Sequence, residues 1–302
     1  MRHSLFIYDD DDGMRRKLQP FLESGLADGE PVVVVLERRK WELLAGELGS
    51  DADLISFLDR DLLLTCPEAA LASFDGVFRR FGRGGANSVR VYGEPRWGAE
   101  TERNSWICFE AIFNCAFVHQ PGWTICGYDT READEAALTG ALETHPEVLT
   151  DRCAPNPSYL EPEEVVRART PASVPLSGLR ALPLDGSPRV FRECLGAELS
   201  AAGVPESEAQ GLLLAAGEVL ANARRHGGER VSIRVGGMDH RFVCEVSDDG
   251  SGVDDLLAGF LPPRDGHADG AGLWVARQLT RRLELVPSAD GFSVRLWADT
   301  ES

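Results

Sequence analysis

Three short segments near the C-terminal end constrain this 302-residue chain more than anything else in it. They read Glu218-Val-Leu-Ala-Asn222-Ala-Arg-Arg-His226-Gly, then Asp248-Asp-Gly250-Ser-Gly252, then Gly270-Ala-Gly272-Leu273. Glu218 and Asn222 are four apart, so they project from one face of a helix. An Asn carbonyl oxygen suits Mg²⁺, which binds few protein groups and keeps its waters. Glu218, one turn back, could orient or deprotonate an attacking hydroxyl or water. An ionised Asp248 can accept the exocyclic amino group of adenine, and the glycines after it let the backbone turn sharply. A Gly-x-Gly that opens a helix offers free N–H groups and a positive dipole end to phosphate. Each piece alone has a plainer reading: a solvated polar pair, a surface turn, an ordinary helix start. Together, and in this order, they can enclose a Mg-nucleotide.

The length suits two domains, each with its own core. With 43% hydrophobic and 26% charged residues, the composition is that of an ordinary soluble protein. No apolar run approaches the roughly 20 residues of a membrane helix. Met1-Arg-His, a short strand-like run and four aspartates do not read as a signal peptide, so the expected location is the cytoplasm. The seven cysteines form no C-x-x-C pair, sit mostly among apolar neighbours and read as buried free thiols. A net charge of −18 opposes nonspecific binding to a phosphate backbone and favours protein partners.

Residues 1–150 alternate candidate strands (4–8, 31–36, 54–57, 88–92, 123–127) with candidate helices (14–24, 39–48, 67–81, 100–117, 132–143). That alternation predicts a parallel sheet covered on both faces, and the run Val32-Val-Val-Val-Leu36 suits a strand buried on both sides. Residues 151–187 are rich in proline and read as a linker with a short helix near 163–168. In residues 188–302 two helical patterns (189–202 and 205–225) precede strands at 230–235 and 242–247, which a 236–240 turn region joins. A helix at 273–282 and strands at 283–287 and 292–297 with an Asp290-Gly291 turn complete an α/β sandwich.

Residues 186–298 resemble the GHKL (Bergerat) ATPase superfamily, which includes gyrase, histidine kinases and the anti-sigma-factor serine kinases. Glu218, Asn222 and His226-Gly227 match its N box, Asp248-x-Gly250-x-Gly252 its first glycine box and Gly270-x-Gly272-Leu273 its second. The resemblance implies a two-layer α/β sandwich that binds ATP and Mg²⁺. In it Asn222 holds the metal, Glu218 is the base, Asp248 reads adenine, Gly270 to Leu273 wrap the phosphates and His226 supports the site. The run Gly272-Leu-Trp-Val-Ala-Arg-Gln-Leu279 and the short lid at 254–269 resemble the anti-sigma-kinase branch most. Arg264 and His267 in that lid are candidates to touch the γ-phosphate, beside the plain reading of exposed loop residues.

In the N-terminal half, strand ends carry Asp9-Asp-Asp-Asp12 where a phosphate loop would sit, and four like charges repel phosphate. The run could hold a cation; a solvated loop with a helix N-cap is the plainer reading. Several pieces resemble the DcmR-type sensory (MEDS) domain: His3, Gly25-Leu-Ala-Asp-Gly-Glu-Pro31, Gly93-Glu-Pro-Arg-Trp97, Glu110-Ala-Ile-Phe-Asn114, Cys126-Gly-Tyr-Asp129 and His145-Pro146. That family looks like a RecA-like three-layer fold without a phosphate loop, thought to sense small molecules. The resemblance makes Glu94, Trp97, Glu110, Asn114, Tyr128 and His145 pocket candidates; packing and turn chemistry are the other reading of each.

The expectation is a signalling regulator in which a sensory domain governs an anti-sigma-factor-type serine/threonine kinase. It would phosphorylate a STAS-type anti-sigma-factor antagonist, sequester a sigma factor and so regulate transcription, as in a stress response, with no direct contact to nucleic acid or membrane. The branch it resembles tends to form homodimers. The alternatives are a non-catalytic ATP-dependent binding module and a histidine kinase, the latter disfavoured because no acceptor hairpin precedes the domain.

Overall fold

The computed structural model describes residues 1–82, 88–95, 100–169, 176–184, 187–238, 240–253, 255, 258–260, 271–288 and 291–301. The chain divides into two compact units, residues 1–170 and 171–302. Both are mixed α/β, the first built on a parallel-rich sheet and the second on an antiparallel one.

The first unit contains β1 (Arg2–Tyr8), α1 (Asp11–Ala27), β2 (Val32–Leu36), α2 (Arg38–Leu48), β3 (Ser56–Asp59), α3 (Arg60–Leu63), α4 (Pro67–Gly82), β4 (Val89–Gly93), α5 (Glu100–Ala116), β5 (Gly122–Asp129), α6 (Glu135–Thr144), β6 (Glu147–Leu149), β7 (Cys153–Pro155) and α7 (Pro162–Arg169). Its sheet runs β3-β2-β4-β5-β1-β6-β7, parallel throughout except for β7. Strand alternation divides the side chains between two faces. Phe6 and Tyr8 pack with Met14, Leu18 and Leu22 of α1 on one, while Leu5, Cys126 and Tyr128 meet Ala133, Ala137 and Ala141 on the other. Every residue of β2 is buried, as its apolar run requires. Asp10 caps α1 by accepting from the Gly13 N–H, and Asp11 pairs with Arg131 and Arg39.

The second unit contains β8 (Arg180–Ala181), α8 (Pro188–Ala201), α9 (Glu206–His226), β9 (Val231–Met238), β10 (Arg241–Asp248), α10 (Ala271–Leu279), β11 (Arg282–Ser288) and β12 (Gly291–Asp299). Its antiparallel sheet runs β11-β12-β10-β9-β8. One core binds sheet and helices, with Phe191, Leu195, Leu212, Ala216 and Val219 against Ile233, Val235, Phe242, Val246 and Leu296.

The structure shifts several expected boundaries. Residues 49–54 form a 3-10 turn, so β3 begins later than the expected 54–57 strand. The predicted 236–240 turn region is mostly strand: Gly236 and Gly237 pair with Val243 and Phe242. Gly236 admits a neighbour instead, since a Cβ there would lie 2.8 Å from Leu179 Cδ2. Within the proline-rich stretch 151–187, β7 extends the first sheet, α7 packs on α5 through Val165, and β8 extends the second sheet. Of the seven cysteines only Cys126 and Cys244 are fully buried; the other five are half-buried, because helix faces and sheet edges expose one side. Among the described residues, no helix is long and apolar enough to cross a membrane.

The carboxyl edge of the first sheet is closed by charge. Lys40 lies with Leu44 and Leu48 on the buried stripe of α2 and is itself fully buried. Its Nζ donates to Tyr8 Oη and Glu94 Oε2, both at 2.9 Å, and pairs with Asp129 Oδ2 at 2.9 Å and Glu132 Oε1 at 3.0 Å. Burial alone would lower the Lys40 pKa, but Glu94, Asp129 and Glu132 outweigh it and raise it. Burial likewise works to raise the Asp129 carboxyl, yet hydrogen bonds from Arg131 and Lys40 hold it below the usual range. Such a carboxylate stabilises the fold above its unfolded pKa of about 4, and that contribution is lost as pH falls through the folded value. A raised lysine contributes fully at every pH below about 10, so at neutral pH both effects are present. Lys40→Met should therefore cost about 3–5 kcal/mol at neutral pH, because it strands buried carboxylates, and the deficit should shrink below about pH 4. Urea unfolding of wild type and variant at several pH values measures it, and a pH-independent loss would contradict this account.

Candidate functional site

Helix α9 carries Glu218, Asn222 and His226 near its C-terminal end. Its apolar residues Leu212, Ala215, Ala216, Val219, Leu220 and Ala223 face the core. The turn between them leaves Glu218 and His226 exposed and Asn222 half-buried. Asp248 ends the central strand β10, where the β10–β12 and β10–β9 registers both terminate.

Bare backbone brings these parts together. A Cβ on Gly272, at the start of α10, would lie 2.6 Å from Asn222 Nδ2. A Cβ on Gly227 would lie 2.7 Å from the Asp248 carboxyl carbon, and one on Gly250 would lie 2.9 Å from both Asp248 Oδ1 and Gly227 Cα. The Gly250 N–H donates to Asp248 Oδ1 at 2.9 Å; among the described residues Oδ2 accepts no hydrogen bond. Gly252 adopts φ +73°, with a Cβ position 2.4 Å from the Phe292 ring. Ser247 and Ser293 share a 2.8 Å hydroxyl bond just behind Asp248. The end of the N-box helix, the first glycine turn and the start of α10 therefore meet, with one carboxylate oxygen and one amide between them. That donor set and the tight glycine cradle fit a purine amino group and a hydrated divalent cation. Leu273 is half-buried beside Gly259, while Gly270, Arg264 and His267 lie outside the described residues.

The sensory-pocket candidates separate into two places. Glu94 belongs to the Lys40 network, where Tyr92 also donates to it at 2.7 Å. Trp97 lies outside the described residues. Glu110, Asn114, Tyr128 and His145 gather beneath α5 with two residues that the sequence patterns left without a role, His3 and Cys126. The relative exposures of His3, Glu110, Cys126 and His145 are 2, 3, 8 and 0%. Burial raises the Glu110 carboxyl to about 7 against hydrogen bonds from Tyr128 and Cys126, and lowers His3 to about 4. It also lowers His145 well below its ordinary value and raises the Cys126 and Tyr128 groups. Lys40 was missed entirely; its place at i, i+4, i+8 with Leu44 and Leu48 was the available signal.

Replacing Gly252 tests the glycine turn directly. A left-handed non-glycine residue costs about 1–2 kcal/mol and overpacking a further 1–3 kcal/mol. Gly252→Ala should thus lose about 2–5 kcal/mol in chemical unfolding of the second unit. An unchanged midpoint would mean that the turn adopts another conformation.

A family model described as the histidine kinase-like ATPase domain matches residues 185–297, and one described as MEDS (MEthanogen/methylotroph, DcmR Sensory domain) matches residues 2–146. No curated protein matches the chain. Among solved structures, the chain is similar to the NMR structure of the histidine kinase domain of the E. coli osmosensor EnvZ, at 20% identity. That match covers 44% of this chain and 94% of the other, with a TM-score of 0.26. The protein thus carries a MEDS domain followed by a histidine-kinase-like ATPase domain of the GHKL type.

Proposed function

We propose that the second unit binds Mg-ATP and phosphorylates a serine or threonine of a small STAS-type anti-sigma-factor antagonist, and that it sequesters a sigma factor under control of the MEDS domain. The observation that carries the nucleotide reading is the meeting of Asn222 with Gly272 and of Asp248 with Gly227 and Gly250. Asn222 would give its amide oxygen to Mg²⁺, Asp248 would accept the adenine amino group, and the N–H groups that open α10 would face phosphate. Phosphoryl transfer is driven mainly by positioning and charge neutralisation, so the chain need supply little beyond these groups and Glu218. Glu218 is exposed, as a group that must reach a second protein's hydroxyl has to be. The acidic balance of the chain supports a protein partner over a nucleic acid.

Two variants separate binding from transfer. Asn222→Ala should weaken ATP binding at least tenfold in calorimetry, a loss of about 1.4 kcal/mol or more. Unchanged affinity would overturn the site assignment. Glu218→Gln should keep ATP affinity within about threefold, which is under 1 kcal/mol, and lose transfer of labelled phosphate to partners captured from native lysate. Binding without any transfer by wild type would identify an ATP-dependent binding module. Acid-labile phosphate on the chain itself would point to a histidine kinase.

A further inference from the structure

His3 from β1, Glu110 from α5, Cys126 from β5 and His145 from the α6–β6 junction bring one potential ligand atom each to a common point. All four atoms lie within 4.8 Å of one another. We propose that this cluster binds a divalent transition-metal ion of the Zn²⁺ class, held tetrahedrally by two imidazole nitrogens, a thiolate and a carboxylate oxygen.

The His145 Nδ1–H donates to the Ala141 carbonyl at 2.8 Å, and a carbonyl can only accept. Nε2 therefore carries a lone pair. It is buried with no hydrogen-bond partner among the described residues and faces Glu110 Oε2 at 3.6 Å. His3 is fixed the same way. Asn114 Nδ2 donates to the carbonyls of Thr144 (2.8 Å) and Glu110 (3.3 Å), which turns its Oδ1 toward His3 Nδ1 at 2.9 Å. The His3 Nδ1–H donates there, and its Nε2 lone pair faces Cys126 Sγ at 3.2 Å and Glu110 Oε2 at 3.5 Å. Both rings thus present lone pairs inward while their outer N–H groups are held by oxygen acceptors, the arrangement in which metal-bound histidines are oriented.

Hydrogen bonds alone do not satisfy this cluster. Tyr128 and Cys126 both donate to Glu110, and the one S–H, 3.7 Å from Glu110 Oε2, cannot also serve His3 Nε2; neither group gives His145 Nε2 a hydrogen bond. Separations of 3.5 and 3.6 Å between nitrogen and oxygen are too long for good hydrogen bonds. They suit the edges of a coordination tetrahedron, which run roughly 3.3–3.6 Å for Zn–N and Zn–O bonds of about 2.0–2.2 Å and Zn–S of about 2.3 Å. A thiolate, a carboxylate and two neutral imidazoles sum to two negative charges, which one divalent cation cancels in a pocket that excludes water. Sulfur and imidazole donors select the Zn²⁺ class over Mg²⁺ or Ca²⁺, and four protein ligands leave no open position, as in structural sites.

The test uses the full chain, stripped with chelator and titrated with Co²⁺ as a spectroscopic stand-in for Zn²⁺. One Co²⁺ should bind per chain, with a thiolate-to-metal charge-transfer band in the near ultraviolet and intense tetrahedral d–d bands. Zn²⁺ should displace it and raise the melting temperature of the stripped protein. Cys126→Ser should lose the charge-transfer band, Asn114→Leu should weaken Co²⁺ binding roughly tenfold to a hundredfold, and Cys244→Ser, in the other unit, should leave the spectrum intact. Absence of the charge-transfer band in folded wild-type protein, or its survival in Cys126→Ser, overturns the site. The wild-type spectrum decides the matter even if a ligand variant fails to fold.

Discussion

A polar or charged group taken out of water must find a partner, at a cost of several kcal/mol otherwise, and the first unit is organised around two responses to that rule. At the carboxyl edge of the sheet the rule is met within the protein. Lys40 sits among Glu94, Asp129, Glu132 and the Tyr8 hydroxyl, with Arg60 and Arg131 completing the charge balance. In open α/β sheets this edge is where ligands commonly lodge. Here side chains of the protein itself occupy it, and an anion arriving there would meet Glu94, Asp129 and the Asp9–Asp12 run. Beneath α5, by contrast, His145 Nε2 has no hydrogen-bond partner among the described residues. The two places differ in accounting rather than in burial, and that difference directs attention to the second.

The second unit rests on a different constraint, the close approach of bare backbone. A Cβ on Gly211, early in α9, would lie 2.6 Å from the Leu279 carbonyl at the end of α10, just as one on Gly272 would strike Asn222 late in α9. The two helices therefore run antiparallel with a glycine at each end of their contact. This pins the start of α10 beside Asn222. The same economy holds at Asp248, where Gly227, Gly250 and Gly291 each approach too closely for a side chain. Glycine-rich motifs recruit their polar partners here by exclusion: nothing larger fits, so the amide and the carboxylate end up where the turns meet.

Much of this was legible in the sequence because the signals were periodic or local. The fully apolar β2 announced a doubly covered parallel sheet, and the order of the three glycine segments announced a GHKL-type sandwich. The pocket beneath α5 was half legible: Glu110, Asn114, Tyr128 and His145 were singled out, but His3 and Cys126 sit more than a hundred residues apart and meet only through the pairing of β1 with β5. Spacing cannot reveal such a set, since the topology makes it. Glu94 shares the family resemblance with these residues but lies apart from them, because it follows β4 at the sheet's carboxyl edge. Lys40 was obscured by its chemistry: a lysine on an apolar stripe reads as a surface residue until three carboxylates are found around it. Gly236 of β9 reads as a turn residue because glycine signals a turn unless a neighbour needs the space, as Leu179 does here.

Helix α5 ties several of these elements together. It supplies Glu110 and Asn114 to the buried cluster, and through Ile107 and Ala111 it packs against Val165 of α7, the last helix of the first unit. Gly140 of α6 meets the same Ile107, with a Cβ position 2.4 Å from its Cδ1. A close-packed interior passes displacement on to its neighbours because it has no slack to absorb it. Any change in charge or coordination at Glu110 therefore acts on a helix whose outer face is already occupied by α7. Ten residues separate the end of α7 from β8, the first strand of the second unit. Along the chain, α7 is thus the element of the MEDS-bearing unit that lies nearest to the ATPase domain and also packs on the helix holding the cluster, so it is the first place where occupancy of that cluster has a neighbour to displace.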